Sequence, residues 1–190
     1  MENFFEQHFE NTSFAPSQLI KGEYEECTFV NCDFSACDIT EMVFANCEFK
    51  GCNLSNLYLT RTAFRTVHFT DCKLMGLRFE YCNDFLFEVS FTRCNLDFSS
   101  FFQRKLKKTS FSYCSLQEVE FGEADLTGAE FEHCDLSRAI FDQTVLEKVD
   151  LRTARNFTIN PDTNRIYQAK FSLEGLPGLL ANYSIQIDDV

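Results

Sequence analysis

Every fifth residue of this 190-residue chain is large and apolar, from Phe4 to Leu151. The column runs Phe4, Phe9, Phe14, Leu19, Tyr24, Phe29, Phe34, Ile39, Phe44, Phe49, Leu54, Leu59, Phe64, Phe69, Leu74 and Phe79. It slips by two residues across EYCNDF (80–85), resumes at Leu86, Phe91 and Leu96, and continues in fives to Leu151. Steps of five drift around an α-helix and change faces along a flat strand, so neither standard period explains the pattern. A chain that turns every five residues needs a large inward residue at the centre of each side. It needs a small inward residue near each corner, where neighbouring backbones crowd. Self-similarity on this scale defines the architecture before any single element is assigned.

The residues around the column carry a resemblance. ADLTG (124–128), CNLSN (52–56) and CDLSR (134–138) fit, with Cys or Ala first, a loose Ala-Asp/Asn-Leu-x-x repeat. On these motifs the sequence resembles the pentapeptide-repeat proteins over residues 4–155. The resemblance implies an all-β solenoid, a right-handed quadrilateral β-helix in which four pentapeptides make one square coil. Coils stack at the β spacing, about 4.8 Å, so the expected rod is roughly 36 Å long. Each coil touches only its neighbours. The expected division is residues 1–155 as β-helix, with a two-residue frame slip at 80–85, and 156–190 as a C-terminal capping and dimerisation element.

The ten cysteines invite a chemical reading, since CTFVNCDFSACD (27–38) spaces three of them five apart. In frame, nine stand two residues before a five-step position, and Cys82 precedes the slipped one. Cys32, Cys52, Cys72, Cys94, Cys114 and Cys134 also share the coil period, so they form a structural ladder. Structural zinc favours short C-x-x-C pairs with further ligands nearby. Stacked positions hold their Cβ vectors parallel, which opposes a disulfide. Free buried Cys behaves as a small hydrophobe. No metal, cofactor or catalytic constellation is expected. His8, His68 and His133 lie far apart along the solenoid, and no Gly-rich loop cradles a phosphate.

Breaks in so regular a pattern are where a binding surface is expected. The first is the slip, read as a bulge or small protruding turn. The second is SSFFQRKLKKTSF (99–111), where Arg104 occupies a corner that wants a small residue. A buried unpaired guanidinium is costly. The backbone there is expected to open, or Arg104 to turn outward. With Phe87, Phe98 and Phe102 on outward positions and Lys105, Lys107 and Lys108 beside them, these residues form a candidate partner patch.

After Leu151 comes a tail with turn, helix and strand signals. NPDTN reads as a turn, AKFSL as a short extended segment, GLPGLLANY as a short helix with Pro177 in its first turn, and SIQID as a strand. This ending, with CNLDFSSF and LKKTSF, resembles the immunity proteins that protect bacteria from peptide microcins, relatives of the Qnr-type quinolone-resistance proteins. That resemblance implies a non-enzymatic, DNA-mimicking rod that binds DNA gyrase or topoisomerase IV and protects it from poisons. It also implies a homodimer through the C-terminal element, with Leu173, Leu176, Leu179, Leu180, Tyr183 and Ile185 as the interface. The alternative is an interaction scaffold with an unrelated protein partner. The net charge of −12 opposes direct nucleic-acid binding, because phosphate contacts need Lys and Arg. No apolar run is long enough for a membrane span. MENFFEQHFENTSF lacks the regions of a signal peptide. A cytoplasmic protein with reduced thiols is the expectation.

Overall fold

The computed structural model describes residues 2–14, 19–183 and 185–186. The chain winds as a four-sided solenoid in which every strand pairing is parallel. The first side carries β1 (Glu2–Phe5), β3 (Gly22–Glu25), β5 (Val43–Ala45) and β7 (Ala63–Arg65). The second carries β2 (His8–Glu10), β4 (Thr28–Val30), β6 (Glu48–Lys50), β8 (Val67–Thr70), β9 (Val89–Thr92), β10 (Ser110–Ser112) and β11 (Glu130–Glu132). The third and fourth sides stack through single bridges, such as Asp33 to Asn53 and Ser100 to Glu120. Phe29 pairs with Phe49 one coil on, and across the slip Phe69 still pairs with Phe91.

The centre residues fill the interior and order it. Rings of one side lie face to face down the rod: Phe29 on Phe49 at 4.6 Å and 11°, Phe111 on Phe131 at 4.9 Å and 1°. Rings of different sides meet edge to face, as Phe44 and Phe49 do on adjacent sides at 66° and Phe101 and Phe111 on opposite sides at 83°. Both arrangements suit the aromatic quadrupole. The column is therefore a set of interlocked stacks rather than a generic apolar filling.

Each pentapeptide is closed by local hydrogen bonds that explain its polar letters. The residue before the centre accepts the amide two positions on: Ser35 N–H donates to Asp33 Oδ1 at 2.9 Å, Thr127 to Asp125 at 3.1 Å and Ser137 to Asp135 at 3.1 Å. The residue two after the centre adopts the left-handed region, as at Asn31 (φ 51°) and Asn46 (φ 53°). Such a conformation costs about 1–2 kcal/mol for a residue with a Cβ. It aims the amide along the rod, so Asn31 N–H donates to Lys50 O and Asn46 N–H to Arg65 O, both at 2.8 Å.

At the corners, all ten cysteines are buried and free. The six that share the coil period donate to carbonyls of the coil before, for example Cys52 Sγ to Phe29 O at 3.4 Å and Cys134 Sγ to Phe111 O at 3.3 Å. Thr62, Ser99 and Thr144 place a hydroxyl in the same role, at 2.7, 2.8 and 2.9 Å. Burial pushes the thiols of Cys47 and Cys82 up to about 12.

The ladder continues into the tail. Arg165 and Lys170 bridge to Val145 and Asp150, and Ile166 and Phe171 pack against the core. Residues 161–163 form a turn, and Pro177 opens the helix α1 (Pro177–Leu180), followed by a 3-10 turn at Ala181–Tyr183. Gly175 and Gly178 let this segment press on Phe157; a Cβ at Gly178 would lie 2.3 Å from the Phe157 carbonyl oxygen. Of SIQID, Ser184 and residues 187 and 188 lie outside the described residues, and Ile185 and Gln186 form no strand.

Candidate protein-interaction surface

The slip at 80–85 opens the first side of one coil into a loop. A 3-10 turn at Phe79–Tyr81 ends with Cys82 N–H donating to Phe79 O at 3.0 Å. Asn83 N–H then donates to Thr62 O, and Asn83 Oδ1 accepts the Phe85 amide at 2.8 Å. The chain rejoins the ladder where Glu88 N–H donates to Phe64 O and Val89 pairs with Val67. Among the described residues no helix is long and apolar enough to cross a membrane.

Two sequence expectations are corrected here. The column places Leu86 at a side's centre and Phe87 outward; the structure reverses them. Leu86 takes a left-handed conformation (φ 56°) and is 63% exposed. Phe87 turns in, edge-on to Phe64 and Phe79 at 6.5 and 6.4 Å. The reason is local: in Phe85-Leu86-Phe87 three successive apolar residues compete for one inward position. The planar ring at 87 fits against the two rings already there.

Arg104 is the second correction. It neither turns outward nor opens its own coil; its residue is 97% buried, being 3% exposed. The side chain reaches back into the loop of the coil before. Nη1 donates to Cys82 O at 3.0 Å, Nη2 to Asn83 O at 3.3 Å, and Nη1 pairs with the exposed carboxylate of Asp84. The guanidinium lies over the Phe87 ring, 4.1 Å from its centroid. A buried guanidinium needs partners of this kind; here both terminal nitrogens have them, while Nε is buried without a hydrogen-bond partner among the described residues. The slip provides the partners of the terminal nitrogens, so the two breaks in the repeat are two halves of one arrangement.

The loop turns its remaining apolar residues outward. Phe85 is 64% exposed and Tyr81 56% exposed. The guanidiniums of Arg65 and Arg78 lie 5.6 Å and 5.8 Å from these two ring centroids. One flank holds a cavity of about 320 Å³ lined by Glu80, Tyr81, Asp84, Phe102, Gln103 and Arg104. The other holds one of about 510 Å³ that includes Arg65, Leu86, Phe87 and Lys107. Lys105, Lys107 and Lys108 are all exposed, and Lys107 pairs with Asp125 at 3.1 Å. The structure thus gathers Phe87, Phe102, Arg104 and Lys107 at the loop. Phe98 is exposed at the corner that ends the third side, outside both cavities. Tyr81, Phe85, Leu86, Arg65 and Arg78 escape the sequence reading; the run FLF beside a slip is the signal that could have raised them.

In the tail, Leu173, Leu176, Tyr183 and Ile185 are exposed, Leu173 most of all at 85%. Leu179 packs against the core and Leu180 is half-buried. Tyr183 Oη donates to Asp162 Oδ2 at 2.9 Å, which fastens the tail to the turn before it.

Comparison with known proteins agrees with the repeat. A model of the "Pentapeptide repeat region" family matches residues 44–121, and one of "Pentapeptide repeats (8 copies)" matches 105–143 and 114–152. Together they span more than half of the chain. No curated protein matches it. Among solved structures, a trypsin-treated form of QnrB1, a plasmid-mediated fluoroquinolone resistance protein, is 20% identical with a TM-score of 0.48. That match covers 98% of this chain and 100% of that one. HetL, a pentapeptide repeat protein involved in heterocyst differentiation regulation from the cyanobacterium Nostoc, is 18% identical with a TM-score of 0.49. It covers 91% of this chain and 87% of its own. The five-residue column, the square coils and the family matches agree: the chain belongs to the pentapeptide-repeat proteins.

Proposed function

We propose that this protein is a non-enzymatic protein-binding rod. The observation that carries this reading is the loop at 81–88, where a fold that buries apolar residues at every fifth position turns Tyr81, Phe85 and Leu86 to solvent. Exposed apolar clusters with flanking arginines are the usual make-up of binding hot spots. The finer reading is a cytoplasmic factor that binds a type II topoisomerase, DNA gyrase or topoisomerase IV, and protects it from a microcin or antibiotic poison. The resemblance of the tail and the −12 charge support it, since an acidic rod presents duplex-like charge. The tail supplies the homodimer contact in this reading, through Leu173, Leu176, Tyr183 and Ile185 with Leu179 and Leu180 behind them.

A supercoiling assay with purified gyrase, with and without a poison, tests the finer reading. The expected result is inhibition of supercoiling by the protein alone, or its restoration in the presence of poison. If neither occurs, topoisomerase protection falls. Light scattering on the wild type and on Leu173→Glu/Leu176→Glu tests the dimer; equal masses at monomer size for both overturn it. One observation favours a scaffold with an unrelated partner: Lys105 and Lys108, one coil beyond the loop, are exposed and pair with no carboxylate among the described residues, the opposite sign to a DNA mimic.

A further inference from the structure

We propose that residues 81–88 form a docking knuckle for an acidic, apolar-rich segment of a partner protein, and that Arg104 is the positioning residue that holds the knuckle in shape. This rests on the protein-binding reading above but not on the partner being a topoisomerase.

The chemistry of the occupant follows from what surrounds the exposed side chains. Tyr81 and Phe85 each have an arginine against the ring, and Leu86 stands beside them. The arginines here are themselves ion-paired, Arg65 with Glu23 at 3.8 Å, Arg78 with Glu80 and Arg104 with Asp84, as is Lys107 with Asp125, while Glu88 accepts from the Thr66 hydroxyl at 2.8 Å. Among the described residues no carboxylate pairs with Lys105 or Lys108 one coil on. The knuckle is therefore an apolar tip whose arginines are paired, with Lys105 and Lys108 as the cations left for a partner, on a chain of net charge −12. Carboxylates on a partner segment match these two lysines, and its aliphatic or aromatic side chains cover Phe85 and Leu86. A nucleic acid offers phosphates but leaves Leu86 uncovered, and it meets the acidic body of the rod.

Arg104 supplies the rigidity. Between Asn83 and Glu88 the chain leaves the ladder, and the backbone carbonyls of Cys82 and Asn83, the Asp84 carboxylate and the Phe87 ring all converge on one guanidinium. A loop fixed in its bound shape loses less entropy on binding.

The test uses the full chain and three dye-labelled probes in fluorescence anisotropy: a peptide alternating Glu with Leu and Phe, its Lys-for-Glu counterpart, and a single-stranded oligonucleotide. The acidic peptide is expected to bind at least about tenfold more tightly than the basic one. Phe85→Ser/Leu86→Ser, at exposed positions that leave the core intact, should weaken it by at least about tenfold. Arg104→Met keeps an apolar stem but drops the fork; it should weaken the acidic peptide and speed hydrogen exchange of the Asn83 and Glu88 amides. Equal binding of the two peptides, no binding of either, or binding of the oligonucleotide alone overturns the assigned partner. Unchanged binding and exchange in Arg104→Met overturn the positioning role. A chain that fails here yet protects gyrase leaves the topoisomerase reading standing; the reverse outcome separates the two the other way.

Discussion

Two corners of the square coil solve the same problem in opposite ways. One stacks Cys32, Cys52, Cys72, Cys94, Cys114 and Cys134, small side chains whose thiols donate to the coil before. The other runs through Thr62, Cys82, Arg104 and Ala124, and there a guanidinium stands where a thiol would. The first corner shows one repeated solution, a small group with one donor. The second shows the condition for exceeding it: the coil before must be widened and must present acceptors.

The sharpest way to break this comparison is to move the arginine. Cys94→Arg places the same side chain at a corner with no loop beneath it. It should cost about 4 kcal/mol or more, enough to prevent folding; a soluble variant with an unchanged urea midpoint would refute the account. Arg104→Ala leaves a cavity and strips the loop of its donors, and should cost about 2–4 kcal/mol. Deleting Asn83 and Asp84 in that background should be less damaging than the sum of the two changes, with a coupling of about 1–3 kcal/mol in denaturant unfolding. Strict additivity would mean that slip and arginine are unrelated.

Smaller effects sharpen the cysteine corner. Cys114→Ser keeps a donor at the same place, as Ser99 does, and should cost about 1 kcal/mol, against more for Cys114→Val, which keeps bulk and loses the donor. The pH dependence has two signs. Burial raises the folded thiols of Cys47 and Cys82 to about 12, so their contribution is complete below the unfolded thiol value of about 8.5 and is lost as pH rises toward about 12. Asp33 is held low by the Ser35 amide, and Asp38 by the Thr40 hydroxyl and amide. Their smaller contribution is present above about 3.9 and is lost as pH falls through their depressed folded values. Urea midpoints across the pH range should therefore fall at both ends, more at the alkaline one.

The solenoid was legible in the sequence because its period is carried by side chains of one kind. Phe, Leu, Ile and Tyr at every fifth position admit one register, and the recurring Cys and Ala two residues before them agree with it. The knuckle was harder to read, for a physical reason. A two-residue insertion has no period of its own, and FLF offers three apolar residues to a single inward place. Choosing among them requires the rings of Phe64 and Phe79, which lie 23 and 8 positions away from Phe87 in sequence. Arg104 looked like a defect because its partners, Cys82, Asn83 and Asp84, belong to the coil before.

The parallel pairing of Phe69 with Phe91 has a consequence for how such a chain can change length. Adding five residues would rotate everything downstream by a quarter turn and re-aim every outward side chain. Adding twenty would preserve the aim but lengthen the rod by a coil. The two residues absorbed at the knuckle do neither: the sides beyond it keep their heading. Variation confined to that loop can alter what it grips while leaving the tail pointed in the same direction, so a lineage could exchange partners at one point without rebuilding the rest.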